Sequence, residues 1–292
     1  LLALWIAVHA ALGFGMGVAA WIRSLPFIGH VAAITAAPLD PQAAGEAAGD
    51  EAQVLEARAV SFRYPGSSQP VLQEVSLRIA PGEMVAIAGP SGSGKSTLVR
   101  LLLGFDRADG GTVCWGGTSL EKLDLFRWRA RVAAVLQGER LGMASTLRSQ
   151  VAGMAACSID DVWAAAGAVA IDTEIRAMPM GIQTIVEGNL VSTGQEQRLL
   201  IARALARRPS ILLLDEATNA VPEAMQARVL ANLRRMGITT ILVTHRESAM
   251  ALCDRVYLFE AGRVAWSGPP AGLAAQQRLL APVRAERMEG MG

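Results

Sequence analysis

The chain lacks an excess of charge of either sign: 27 Lys and Arg stand against 26 Asp and Glu, a formal net charge of +1 over 292 residues. Gripping nucleic acid through bulk charge needs a positive surplus to neutralise phosphates, so that class of partner is excluded. Cysteines are few and scattered (Cys114, Cys157, Cys253), with no CxxC pair. They read as reduced cytosolic thiols rather than a disulfide scaffold or a zinc site. Long heptad arrays are missing, which removes the coiled-coil ATPases of DNA repair and chromosome organisation. Aromatic residues make up only 5%, yet 52% of the chain is hydrophobic. High apolar content with little net charge rules out disorder and leaves ample chain for a buried core. The apolar surplus must therefore be concentrated somewhere.

It is concentrated at the amino end. Leu1 to Ile22 reads LLALWIAVHAALGFGMGVAAWI, with one histidine and no charge. A membrane helix needs about 20 mainly apolar residues, which this run supplies. A signal peptide fits less well, because an initiator Met and a basic n-region are lacking and the run exceeds the usual ~7–15-residue h-region. A buried soluble helix would need another long apolar helix to pack on. The expectation is a membrane helix, with Gly13 and Gly17 in one GxxxG, His9 facing a bundle or cavity, and Arg23 on the cytoplasmic flank. The missing Met points to the carboxyl-terminal part of a longer protein. Pro38 to Glu51 (PLDPQAAGEAAGDE) has no periodic apolar face and reads as a linker. Residues 1–37 are thus expected to end a transmembrane domain, 38–53 to link, and 54–292 to fold separately.

From Val54 onward strands and helices alternate. Strand patterns lie at Leu55–Phe62, Val71–Ile79, Met84–Ala88 and Val132–Leu136, and two almost wholly apolar ones at Ile211–Leu214 and Thr239–Val243. Continuously apolar strands belong to parallel sheets covered on both faces. Helical patterns fall at Ser96–Gly104, Gln195–Ala206 and Glu223–Met236, and Arg255–Glu260 with Gly262–Trp266 reads as a terminal hairpin.

The sharpest motif is Gly89-Pro90-Ser91-Gly92-Ser93-Gly94-Lys95-Ser96-Thr97, a GxxxxGK[ST] loop between strand Met84–Ala88 and a helix beginning near Lys95. Its glycines let backbone N–H groups wrap a phosphate, Lys95 brings charge to the terminal phosphates, and Ser96 can ligate Mg2+. A chance match in such a chain is on the order of 1%, with Gly near 7% of residues. Downstream, Ile211-Leu212-Leu213-Leu214 ends in Asp215-Glu216. At such a strand end Asp215 can hold Mg2+ through water, and Glu216 can orient or deprotonate the attacking water.

On these motifs the soluble part resembles the nucleotide-binding domain of an ABC transporter over about residues 54–270. The resemblance implies an α/β P-loop NTPase fold: a mixed sheet core, an antiparallel β part, and a helical subdomain over about 138–205, here preceded by a transmembrane helix. It implies ATP and Mg2+ as ligands and a second ABC subunit as partner. It places Tyr64 on adenine, Gln137 in the glutamine loop that senses the γ-phosphate and contacts Mg2+, and His245 as the switch histidine. The signature reads Val191-Ser192-Thr193-Gly194-Gln195 where the family has LSGGQ, so Ser192, Gly194 and Gln195 are kept and Thr193 replaces glycine. In the family this segment is a helix N-terminus serving ATP held by the opposite subunit. A second departure is Asn219-Ala220-Val221-Pro222 where the family continues SALD; Pro222 suits the first turn of the next helix but removes a carboxylate from the dimer seam.

The departures are one-sided. Lys95, Ser96, Gln137, Asp215, Glu216 and His245, which act on the chain's own ATP, are intact, whereas the altered positions face the partner's nucleotide. The expectation is a heterodimer with one competent site, set against a homodimer that tolerates both changes. A regulatory half with little hydrolysis is the alternative function. The apolar segment and linker resemble an exporter rather than an importer ATPase with separate permeases. Leu141–Arg148 and Thr184–Gly188 resemble exporter segments that follow the glutamine loop and touch the coupling helices. The stretch Ile175–Gly181 looks closest to bacterial peptide or bacteriocin exporters, so the expected cargo is a peptide crossing the cytoplasmic membrane, with the ATPase on the cytoplasmic side.

Overall fold

The computed structural model describes Gly45 and residues 53–153, 157–186 and 190–273. The chain divides into two compact units, Leu1–Ala43 and Ala44–Gly292, and every described residue belongs to the second. The membrane helix expected over Leu1–Ile22 lies outside the described residues. Among the described residues no helix is long and apolar enough to cross a membrane.

The core is a six-stranded sheet ordered β12 (Arg263–Gly268), β11 (Arg255–Glu260), β3 (Met84–Ala88), β10 (Thr239–Val243), β9 (Ile211–Asp215) and β6 (Val132–Val135). All are parallel except β12, which pairs antiparallel with β11. Residues of β3, β9 and β10 are buried without exception, as strands covered on both faces must be. The period-two alternation divides them between two cores. Met84, Ala86, Leu212, Leu214 and Leu242 enter one; Val85, Ile87, Ile211, Leu213, Ile241 and Val243 enter the other. Each fully buried Val, Leu or Ile contributes roughly 1.5–3 kcal/mol of transfer free energy, so this sheet anchors both faces of the domain.

The second of those cores lies under α1 (Lys95–Leu102), α2 (Leu125–Arg131) and an antiparallel sheet ordered β2 (Leu72–Ile79), β1 (Leu55–Phe62), β4 (Gly110–Trp115) and β5 (Thr118–Ser119). The first is covered by α3 (Leu147–Ala152), α4 (Ile159–Ala168), α5 (Asp172–Ala177), α6 (Thr193–Ala206) and α7 (Glu223–Arg235). On the side of the first core a two-stranded ladder joins β7 (Ser145–Thr146) to β8 (Ile185–Val186), so the two segments read as exporter-like in sequence meet in space. Glu187 and Gly188 lie outside the described residues.

Element bounds differ from the sequence expectation where a cap or a ladder decides them. Helix α6 starts at Thr193 rather than Gln195, because Ser192 and Gln195 form a reciprocal capping box. Strand β9 runs through Asp215 because its backbone still pairs with Val243. Pro222 is the N-cap of α7, one position before the first turn expected for it. The terminal hairpin turns on Ala261 and Gly262, both at positive φ (48° and 77°), the backbone of a type I′ turn, and its second strand starts at Arg263.

Candidate functional site

Four parallel strands, β3, β6, β9 and β10, point the same way, and at their carboxyl ends stand the segments that carry Lys95, Ser96, Gln137, Asp215, Glu216 and His245. After β3 the chain enters the glycine loop. Gly89 sits at φ 143°, and a Cβ there would lie 2.3 Å from the carbonyl oxygen of Phe259. Only glycine lets the loop pass this close to β11. Gly94 caps α1 in a left-handed conformation with no side-chain cap bond, so the first amides of the helix are not consumed by a capping side chain.

Lys95 folds back over the loop, donating to the carbonyl oxygens of Gly89 (2.9 Å) and Pro90 (2.7 Å). Burial pushes its ammonium below the ordinary lysine value, while the nearby charges of Glu216 and Asp215 oppose that shift. Asp215 is 4% exposed. Burial raises its carboxyl above the usual range, the Glu216 charge adds to this, and a hydrogen bond from Ser96 with the charge of Lys95 pulls the other way. Ser96, Lys95 and Asp215 are thus one electrostatic unit. Thr97, buried on α1, shares a hydrogen bond of 3.2 Å with the Tyr64 hydroxyl, and the Tyr64 ring meets Phe62 edge-on at 5.0 Å. Tyr64 remains half-exposed beside the glycine-loop helix.

Glu216 follows at positive φ (54°), and its amide donates to Val243 on β10 (3.0 Å). That left-handed turn swings its carboxylate away from the strand. Gln137, just past β6, donates through Nε2 to Glu216 Oε2 (2.8 Å). His245, just past β10, has Nδ1 4.0 Å from Glu216 Oε1, near but not hydrogen-bonded. Four loops from four strands therefore bring Lys95, Ser96, Gln137, Asp215, Glu216 and His245 together.

The signature residues bond differently. Ser192 accepts from the Gln195 amide (3.2 Å), and the Gln195 side chain reaches back to the Ser192 amide and across to Glu174. A Cβ on Gly194 would stand 2.9 Å from the Ala220 carbonyl oxygen, so α6 packs closely on the turn after Glu216. Thr193 is exposed.

Several residues without an assigned role in the sequence complete the site. Glu196, 3% exposed on α6, accepts from the Leu141 amide (3.0 Å) and from Arg140 (2.6 Å), tying the glutamine loop to the signature helix. Gln197 on α6 accepts from the Ala220 amide (2.8 Å), and Arg246 donates to the carbonyl oxygens of Thr218 and Val221. Asn219 donates to Glu216 Oε2 (3.2 Å). The i,i+3 spacing of Asn219 from Glu216 was a readable signal; the partners of Glu196 and Gln197 come from segments distant in sequence. A small cavity of about 110 Å³ opens among Gln137, Arg140, Thr193, Glu196, Asp215 and Glu216.

A glycine loop at a helix N-terminus, with a lysine folded over it and an Asp-Glu pair at a neighbouring strand end, defines a P-loop nucleotide-binding ATPase domain. The family model described as ABC transporter matches residues 72–219, and the chain belongs to the ABC transporter family. It is 39% identical over 251 residues to an ATP-dependent lipid A-core flippase of Paraburkholderia xenovorans (strain LB400), covering 84% of this chain and 42% of that protein. To the colicin V secretion/processing ATP-binding protein CvaB of Escherichia coli it is 38% identical over 206 residues, 69% of this chain and 29% of that one. Among solved structures, a bacterial Atm1-family ABC exporter with ATP bound is similar at TM-score 0.76 and 32% identity, covering 84% of this chain and 43% of that chain. The chain spans less than half the length of these relatives, and what it shares with them is the exporter-type ATP-binding domain.

Proposed function

We propose that this chain is the ATP-hydrolysing subunit of an ABC exporter, working at the cytoplasmic face of the cytoplasmic membrane. The observation that carries the reading is the convergence of Gln137, Glu216 and His245 beside the Lys95–Asp215 pair. Water attacks the γ-phosphorus, its proton passes to the Glu216 carboxylate, and the bond to the leaving ADP breaks. Lys95 balances phosphate charge, and His245 stands where it can reach the terminal phosphate. Ser96, Asp215 and the Gln137 amide oxygen form a hard-oxygen donor set suited to Mg2+, and Ser96 is near enough to Asp215 to oppose the upward push that burial gives its carboxyl. Held there, Mg2+ would supply positive charge against the phosphates. Tyr64, held by Thr97 beside the loop, is assigned to the adenine, and Ser192, Gly194 and Gln195 to the ATP of the partner subunit.

Identity to lipid A-core flippases and to the colicin V protein is nearly equal, at 39% and 38%. The ATPase domain is thus shared across cargo classes, and cargo choice belongs outside it; the peptide reading rests on the Ile175–Gly181 resemblance alone. A depression of about 490 Å³ lined by Phe105, Leu136, Gln137 and Arg207 shares Gln137 with the reaction centre. We assign it to cytoplasmic loops of the membrane domain, through which nucleotide state is passed on. ATP drives that change because its contacts are made in the closed dimer and not in the open one. What supports the heterodimer reading is that Thr193 and Pro222, two of the positions that depart from the family pattern, are exposed and so open to a partner.

Glu216→Gln keeps the shape and removes the base. Turnover should fall by about 10²–10⁴-fold, and an ATP-dependent dimer should persist on size exclusion. Turnover at the wild-type rate in this variant would overturn the reading.

A further inference from the structure

The Glu216 carboxylate is held by two side-chain amides, and both donate to the same oxygen. Gln137 Nε2 lies 2.8 Å from Oε2 and Asn219 Nδ2 lies 3.2 Å from it, whereas Oε1 faces His245 at 4.0 Å. The Asn219 backbone amide also donates to the Glu216 carbonyl oxygen (3.3 Å), closing the turn that brings the side chain back over the carboxylate. The other end of the same amide is costly. Asn219 Oδ1 is enclosed and has no hydrogen-bond partner, a condition native proteins keep for a reason. Turning the amide over would relieve nothing, because Oδ1 would then face an acceptor oxygen.

We propose that Asn219 is a positioning residue for the reaction: its Nδ2 fixes Glu216 Oε2 and so leaves Oε1 as the oxygen that takes the proton of the attacking water. The inference rests on Glu216 acting as the base. Asn219 is suited to the task in a way Gln137 is not. Asn219 is three residues from Glu216 on one turn and moves with it, while Gln137 reaches across from a segment 79 residues away that must also answer to the metal and the γ-phosphate. When Gln137 turns to those ligands, Asn219 keeps the carboxylate in place. The Thr218 and Val221 carbonyl oxygens bound by Arg246, and the Ala220 amide bound to Gln197, hold this turn from outside, so the donor is itself fixed.

The test is a double-mutant cycle read as ATP turnover by the full chain in its assembled dimer, with ATP affinity and Tm measured on the same samples. Asn219→Ala should lower kcat about tenfold with KM for ATP within twofold. Asn219→Asp, which keeps the shape but sets an anion against Glu216, should be worse than Asn219→Ala. In the Glu216→Gln background, Asn219→Ala should lower kcat no further, because its effect passes through the carboxylate. A residue that merely packs would give the reverse order, Asp milder than Ala, and would reduce activity in both backgrounds; either result overturns the inference. If Glu216→Gln abolishes turnover while the Asn219 variants turn over like wild type, Glu216 remains the base and Asn219 is discarded. Wild-type turnover in Glu216→Gln discards both. Should one variant fail to fold, by Tm and ATP binding, Asn219→Ser carries the same expectation as Asn219→Ala.

Discussion

Asp215 and Lys95 are pushed in opposite directions by the same burial, one carboxyl raised and one ammonium lowered, and each is partly restored by the other. Such mutual dependence makes the glycine loop sensitive to its backbone path, since that path decides where Lys95 sits. Gly89→Ala is expected to be severe. Its new Cβ would stand 2.3 Å from the Phe259 carbonyl oxygen at a φ of 143°, so β3 or β11 must move. We expect a loss of more than about 2 kcal/mol, seen as a fall in Tm of at least about 4 °C, with ATP binding lost as well. At this scale the residues of the glycine loop and the Asp215-Glu216 pair were legible, because adjacent residues carry that chemistry. Gln137 and His245 were legible only by resemblance. Glu196 was not, since its partners Leu141 and Arg140 lie 55 and 56 residues away and no local pattern marks them.

Caps set the bounds of helices whose apolar periodicity is weak. Helix α4 begins with Ser158 bonding the Asp161 amide and Asp161 bonding the Ser158 amide. Those bonds, reinforced by Arg208, hold the Asp161 carboxyl at about 2, below its ordinary 3.8. A depressed carboxyl stabilises the fold above its unfolded value and loses that contribution as pH falls through the folded one. The stability gap between wild type and Asp161→Asn should therefore be full near pH 7 and close between pH 3.8 and about 2. Denaturant melts across that range check it. The Ser158–Asp161 pattern was present in sequence but went unread, as did β4, β5, β7 and β8, the last three being two-residue strands stabilised only by neighbours. The five-residue strands β3 and β10 were legible to the residue because both their faces are apolar, and β1 by its apolar pattern.

On the scale of the molecule, Thr193 and Pro222 are exposed, while Lys95, Ser96, Gln137, Asp215, Glu216 and His245, the residues proposed to act on the chain's own ATP, all match the family pattern. If the partner subunit supplies an unaltered signature, the purified chain alone should turn over ATP slowly and without cooperativity, and mixing with that partner should restore it. Robust cooperative turnover by the chain alone would instead establish two working sites in a homodimer. The α/β alternation was legible from apolar runs, but the division of the sheet between two cores was not, because it depends on which helices cover each face. One topological feature has a further consequence. Strands β6 and β9 are immediate neighbours, although residues 136–210 separate them in sequence. Everything between is an excursion from one edge of the sheet. It carries Gln137 near its start and Ser192, Gly194 and Gln195 toward its end, so only the stretch between those two anchors is free to be exchanged without touching the site.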